Sequence, residues 1–330
     1  MSYHVYGIGN ALVDMEFEVE ESFLQENNIE KGLMTLIDEE QKLKISANLT
    51  ASYGVKKRTG GGSAANSIVA ISNLGGNTFY ACKVADDVDG NFYKENLEEA
   101  GVTTALDSIK SEGITGNCVV MVTPDAERTM NTFLGITSDF SANELDLEAL
   151  KQSEYIYAEG YLVTSDTSRN AVMEARKVAK ANGVKTAMTF SDPAMVTYFK
   201  DGVTEIIDGG VDVLFSNEEE AMTYTGKDSI DAAIAELEKL TGTLVLTLGD
   251  KGALIIKDGQ RVEIAPVPTT AVDTNGAGDM FAGAYMYGLT HGFSELHSGN
   301  LASEAASIIV SRFGTRLEKS EQQALIEKYC

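Results

Sequence analysis

The 330-residue chain has no tryptophan, four prolines, three cysteines and three histidines. Cys82, Cys118 and Cys330 are odd in number and widely spaced, with no Cys-x-x-Cys pair and no cysteine–histidine cluster. That spacing argues against a disulfide framework or a zinc site. His4, His291 and His297 form no His-x-x-x-His pair. No apolar run approaches the roughly 18 residues of a membrane span. The opening MSYHVYGIGNALVDMEFEVEE lacks the basic-then-apolar layout of a signal peptide, so a cytoplasmic, reduced protein is expected. Basic residues are scarce as well. Lys+Arg 26 against Asp+Glu 50 gives a net charge of −24, which argues against nucleic acid or an anionic membrane as partner. Most of this charge reads as a solvated surface. An anionic substrate would need local N–H donors or a metal to overcome it.

With 43% hydrophobic residues, the chain can bury the core of one large domain, or of a domain with a smaller attachment. Apolar strand-like runs (NTFYACKV, SEYIYAEGY, KTAMTFSD, VDVLFSN, TLVLTLG, GALIIKDG) alternate with helix-like runs such as AANSIVAISNLGG and SRNAVMEARKVAKANGV. This order predicts an α/β fold with a mostly parallel central sheet and helices on both faces. Residues 11–59 and 102–135 break the rhythm with polar–apolar alternation (DMEFEVE, TGNCVVMVT, ERTMNTFLG). They are expected to form a small discontinuous β-sheet lid. Residues 1–10, 60–101 and 136–330 then make the large domain.

The stretch AVDTNGAGDMFAGAY places Asp279 directly after a Gly-Ala-Gly turn and at the head of an apolar helix. In open α/β sheets, ligands gather beyond the carboxyl ends of the strands, where helix N-termini present free N–H groups. Gly276, Ala277 and Gly278 could offer such groups to an anion without side-chain interference. Asp279 would repel a resident phosphate and suits abstraction of a proton from an incoming hydroxyl instead. That arrangement fits phosphoryl transfer. A glycine-rich turn with an ordinary helix-start acid fits the composition equally well.

DTNGAGDMFAGAY resembles the D-T-x-G-A-G-D signature of the ribokinase-type (PfkB) carbohydrate and nucleoside kinases. GGGSAANSIVAISNLGG resembles their N-terminal G-G-x-x-x-N signature at Gly61, Gly62 and Asn66. NEEEA resembles the N-x-x-E motif at Asn217 and Glu220, and TLGDKGA the nucleotide-binding strand turn. Four motifs in family order, spread over most of the chain, imply a ribokinase-like fold and an ATP- and magnesium-dependent kinase. The resemblance implies Asp279 as general base and residues 276–278 as the anion hole. It implies Asn217 and Glu220 as organisers of magnesium and phosphate through water, although an N-capped acidic first turn would read the same way. Thr247, Gly249, Lys251 and Gly252 would contact ATP phosphates and ribose, with Asn300 near the base. Asp273 would be open to a monovalent cation such as potassium, as in several relatives.

For the acceptor, Asn10 and Asp14 lie just beyond the first strand, where a polyol needs paired hydrogen bonds, and Gly61, Gly62 and Asn66 could approach from the other side. The spacing G-N-x-x-x-D resembles adenosine-kinase-like members, whereas sugar kinases commonly carry G-D or G-E there. Leu12, Met34, Leu36, Met130, Phe133 and Tyr161 would then enclose a flat base, or simply pack. Arg128 would face an anion or pair with an acid. Where many sugar kinases have D-x-N-x-R, this chain reads FSDPAMV, leaving one phosphate contact unassigned and Ala194 and Met195 where adenosine-kinase-like relatives often place an aromatic.

GIGNAL begins like a dinucleotide fingerprint, but Leu12 fills the third glycine position and no helix pattern follows. No Walker A sequence occurs. The expected activity is phosphorylation of a primary hydroxyl on a nucleoside, adenosine or another purine nucleoside first. A fructokinase- or ribokinase-type sugar kinase, or a non-catalytic nucleoside-binding protein, are the alternatives. The partner is a small molecule, and the chain is a monomer or homodimer.

Overall fold

The computed structural model describes residues 2–32, 34–107, 111–125 and 127–330. These residues form β1 (Tyr3–Ile8), β2 (Leu12–Glu18), β3 (Met34–Leu36), β4 (Lys57–Gly61), β5 (Thr78–Ala81), β6 (Gly116–Val122) and β7 (Arg128–Phe133). They continue with β8 (Ser153–Glu159), β9 (Lys185–Thr189), β10 (Val211–Asn217), β11 (Thr241–Thr247), β12 (Ala253–Lys257) and β13 (Gln260–Ile264). Eight strands join one sheet in the order β13-β12-β11-β10-β9-β8-β1-β5. From β11 to β5 every neighbouring pair is parallel, and β12 and β13 add an antiparallel edge.

Both faces of this sheet are buried, which is why its strands read as near-continuous apolar runs. In β8, Tyr155 and Tyr157 enter one core while Ile156 and Ala158 enter the other. The first core packs against the helices Ser63–Asn73, Ala277–Thr290 and Glu295–Val310; the second packs against Asp166–Ala181 and Ile230–Leu237. Gly283 lets two of these helices approach closely: an added Cβ would sit 2.5 Å from Ser67 O and 2.7 Å from Ala70 Cβ. Asp279, one turn earlier on its helix, is thereby brought beside Ser63 and Asn66.

The second sheet has the order β3-β7-β6-β2-β4 and is drawn from separated parts of the chain, as the alternating segments suggest. Its strand directions are mixed, with β2 parallel to β6 and antiparallel to β4. Strand-type alternation did not anticipate two helices within residues 11–59, Glu21–Glu26 and Glu39–Ser52. The longer one buries only Ile45 and Leu49, so its apolar stripe is thin, but Asp38 starts it with a complete capping box. Near residue 102 the chain still belongs to the large sheet, because Thr103 bridges to Phe79 beside β5. Among the described residues, no helix is long and apolar enough to cross a membrane.

Candidate active site

A cleft of about 410 Å³ opens where the carboxyl ends of β8, β9, β10 and β11 meet the small sheet and the turn before the helix Ala277–Thr290. It contains Asn10, Leu12, Asp14, Gly62, Asn66, Tyr161, Asn217, Glu220, Thr247, Gly276, Gly278 and Asp279, residues drawn from most of the chain. Of the candidate base-enclosing residues, Met34, Leu36 and Met130 also line it. Phe133 is not among the lining residues and lies under the Lys42 ammonium, 5.4 Å from its ring centroid.

Asp279 occupies the first turn of its helix, and Gly276 forms the cap with φ +74°, a left-handed conformation that glycine adopts without strain. An added Cβ at Gly276 would also lie 2.7 Å from Thr315, whereas Gly278 has open space beside it. Ser63 Oγ donates to Asp279 Oδ1 at 2.6 Å, and Asn66 Nδ2 donates to Oδ2 at 3.0 Å. Burial raises the Asp279 carboxyl to about 6, and these two donors oppose the rise. A carboxylate poised there is ionised near neutral pH and still basic enough to take a proton. Ala277 N donates to Thr274 O at 3.3 Å, and the N–H groups that open the helix form the positive end of its dipole.

At the small-sheet side of the cleft, Asp14 is raised to about 7 by burial, with Arg316 and then Arg128 opposing the rise. Among the described residues, desolvation and neighbouring charges, not hydrogen bonds, set its environment. Its carboxyl lies against Gly61, in the space a Cβ would fill. Asn10 is held differently. Its backbone N–H and Nδ2 each donate to Glu159 Oε1 at 2.8 Å, while Thr137 Oγ1 donates to its Oδ1 at 3.3 Å. Glu159 also accepts from Ala64 N at 2.7 Å, so it ties the end of β1 to the start of the helix Ser63–Asn73. Burial raises Glu159 to about 7 against these donors.

On the far side, Asn217 and Glu220 form a reciprocal capping box: Glu220 N donates to Asn217 Oδ1 at 2.8 Å, and Asn217 N to Glu220 Oε2 at 2.9 Å. The capping reading of NEEEA therefore holds, and both residues also line the cleft. Burial raises Glu220 to about 7. Among the described residues, five carboxylates, Asp14, Glu159, Asp192, Glu220 and Asp279, line the cleft, and no lysine or arginine does. Such a cleft suits a hard cation with oxygen ligands. Among the described residues no cluster of three or more His, Cys, Asp or Glu could hold a metal directly. The cap takes Glu220 Oε2, which leaves Oε1 as the oxygen that could face a cation.

Other expected contacts lie elsewhere. Gly249 and Lys251 sit on a short 3-10 turn outside the cleft lining, and Lys251 is exposed and 3.4 Å from Glu218. Gly252 has φ +92° and packs against the Ile264 carbonyl, a backbone requirement of the turn. Asn300 lies inside the helix Glu295–Val310, whose cap is Ser294, and away from the cleft lining. Ala277 forms the turn's backbone without lining the cleft, and the same holds for Gly61 in β4. Asp273 is buried, and its carboxylate is engaged by Arg128 and by Asn275 N at 3.0 Å. A monovalent cation there would compete with the guanidinium. Arg128 also lies 3.6 Å from Glu16, so it pairs with acids.

Residues the sequence did not point to are Glu159, Ser63, Ser191, Asp192, Thr315 and Arg316. Ser191 has φ +71°, and its Oγ accepts from Gly160 N at 2.9 Å. Asp192 caps the helix Pro193–Tyr198 and accepts from Tyr161 Oη at 3.3 Å. The FSDP reading of 190–193 carried the only local signal for this pair.

Residues 32–322 match the pfkB family of carbohydrate kinases. Adenosine kinase 1 of Arabidopsis thaliana is 26% identical over 331 residues, covering 93% of this chain and 94% of its own. The ribokinase of Haemophilus influenzae is 27% identical over 275 residues, covering 81% of this chain and 86% of its own. The crystal structure of adenosine kinase from Sinorhizobium meliloti superposes with a TM-score of 0.92 at 32% identity, covering 99% of this chain and all of that one at 100%. With a parallel sheet whose carboxyl edge gathers the D-T-x-G-A-G-D aspartate, the capped N-x-x-E pair, Asn10, Asp14 and Asn66 into one cleft, the chain belongs to the pfkB family of carbohydrate kinases and is an ATP-dependent phosphotransferase.

Proposed function

We propose that this kinase phosphorylates the 5′-hydroxyl of a purine nucleoside, adenosine first, with magnesium as cofactor. The observation that carries the nucleoside reading is the apolar wall of the small sheet. Leu12, Met34, Leu36, Val120, Met130 and Leu134 line the cleft on the side that holds Asp14. A free pentose bears a hydroxyl or ring oxygen at every carbon and would leave some of them unpaired against that wall. A flat base attached to ribose buries its faces there and leaves the ribose hydroxyls to Asp14, Asn10 and Asn66. Met195 and Phe199 extend the apolar lining, although Ala194 and Met195 stand where adenosine-kinase-like relatives often place an aromatic, which favours adenosine less than purine nucleosides in general. The names of the Arabidopsis and Sinorhizobium relatives support the same reading, while the Haemophilus relative keeps a sugar as the competing acceptor.

In this reading Asp14 accepts hydrogen bonds from the ribose hydroxyls, and closure of the small sheet over the cleft excludes water. ATP enters along Asn217 and Thr247. The attacking oxygen forms its bond to the γ-phosphorus as the bond to the ADP oxygen breaks, and its proton passes to Asp279 Oδ. N–H groups of the 276–278 turn receive the charge of the transferring group. Glu220 would hold a magnesium ion through water, and that ion would supply screening of the charge on the phosphate oxygens. The test is ADP release from MgATP with adenosine, inosine, guanosine, ribose and fructose in turn. Turnover confined to nucleosides supports the reading. Turnover on a free sugar alone removes it and returns the apolar wall to plain packing.

A further inference from the structure

The loop after the helix Glu295–Val310 reaches back to both halves of the acceptor site. Val310 O accepts from Val272 N at 2.8 Å and from Asp273 N at 3.1 Å, anchoring the irregular segment that leads into the glycine turn. Thr315 packs against Gly276 and donates from Oγ1 to Asn66 Oδ1 at 3.2 Å. Arg316 Nε donates to the same oxygen at 3.5 Å, and Nη1 donates to Asn96 Oδ1. Nη2 is buried without a hydrogen-bond partner.

Two consequences follow from this placement. An asparagine amide can be turned end for end, but two donors on Asn66 Oδ1 leave only Nδ2 to face Asp279. Arg316 Nη2 also lies beside Gly60, where an added Cβ would be 3.2 Å away, and Asp14 lies against the next residue, Gly61. Successive strand residues present opposite faces, so guanidinium and carboxylate flank a strand end that carries no side chains. No ion pair joins them directly, yet Arg316 is the largest charge favouring the ionised Asp14. Arg128 acts in the same sense, Glu16 and Asp279 act against it, and the Cys118 thiol is neutral, raised to about 12 by burial.

We infer that Arg316 is a positioning residue for the acceptor: it fixes the Asn66 amide toward Asp279 and holds Asp14 as an anion ready for two hydroxyls, without itself touching substrate. The inference rests on the acceptor side assigned under the proposed function. A purely structural arginine would support the fold and change both substrates' affinities alike.

The experiment compares wild type with Arg316→Gln, Arg316→Lys and Thr315→Val. It reads adenosine binding by calorimetry without ATP across pH 6 to 9 (about the range in which a carboxyl near 7 titrates), together with kcat and both KM values. Arg316→Gln is expected to weaken adenosine binding about tenfold or more, leave KM for ATP within about twofold, and move the acid loss of binding to higher pH. Arg316→Lys keeps the charge and so the pH midpoint, but lowers kcat because the Nε contact to Asn66 is gone. Thr315→Val lowers kcat with the pH midpoint unchanged. The inference is overturned if folded Arg316→Gln keeps both the wild-type affinity and the wild-type midpoint, or loses adenosine and ATP affinity equally. Should Arg316→Gln fail to fold, Arg316→Lys decides, and an unchanged kcat overturns the inference. If wild type itself binds no adenosine, the nucleoside reading is what has failed, and ribose becomes the probe in the same comparison.

Discussion

The Asn66 side chain donates to Asp279 at 3.0 Å across 213 positions of sequence, joining the two glycine-rich signatures of the chain in one hydrogen bond. Ser63 adds a second donor at 2.6 Å. Both favour the ionised carboxylate and hold back the rise that burial causes. Replacing Ser63 with Ala therefore raises the Asp279 pKa. The acid limb of kcat/KM should move to higher pH, by up to about one unit. A profile that stays in place would separate Ser63 from the base.

Asp14 is expected to act on binding. Asp14→Ala should raise KM for the acceptor about tenfold to a hundredfold, the range for hydrogen bonds to a charged group, and leave KM for ATP nearly unchanged. Steady-state kinetics with each substrate varied in turn checks this. An unchanged acceptor KM would take Asp14 out of the site.

The same residue carries a stability prediction of opposite sign. Its folded pKa is raised to about 7, above the unfolded value, so the folded state binds the extra proton and ionising Asp14 costs stability as pH rises. Asp14→Asn should therefore increase thermal stability at pH 8 (about one unit above the folded pKa), by on the order of 1 kcal/mol after the lost attraction to Arg316. The gain should shrink as pH falls below about 7 and vanish near the unfolded value of about 4. Thermal denaturation at several pH values reads it, and a variant less stable at pH 8 (in the same range) would contradict it.

Glu220→Gln separates capping from metal work. Glutamine completes a capping box as glutamate does, so the helix Glu218–Thr225 keeps its start. The lost charge should raise the magnesium concentration for half-maximal turnover several-fold while the melting temperature holds or rises. Unchanged magnesium dependence would leave Glu220 as a cap alone.

The parallel sheet was legible because strands buried on both faces read as apolar runs: β10 coincides with VDVLFSN, and β11 begins two residues before TLVLTLG. Asp279 stood out because its glycine turn matches the D-T-x-G-A-G-D signature, since composition alone fits an ordinary helix start equally well. Glu159 was not. It sits at the end of the apolar run YIYAE, and its partners Asn10 and Ala64 lie 149 and 95 positions away, so no local spacing records them. Arg316 was hidden for the same reason, 250 positions from Asn66. The helix Glu39–Ser52 was missed because two buried residues give too thin a stripe to outweigh the alternation around it. Asn300 was expected near the nucleotide base, but it lies within the helix Glu295–Val310, which Ser294 caps, and outside the cleft lining.

The most direct measurement of the account is single-turnover phosphoryl transfer from MgATP to adenosine, followed across pH in wild type and in Asp279→Asn. The wild-type rate should fall below about pH 6, where Asp279 takes up its proton. The variant should be slower by about a hundredfold to ten-thousandfold and lack that limb, with nucleotide affinity retained. A variant that keeps near-normal turnover, or the same acid limb, would show that another group accepts the proton.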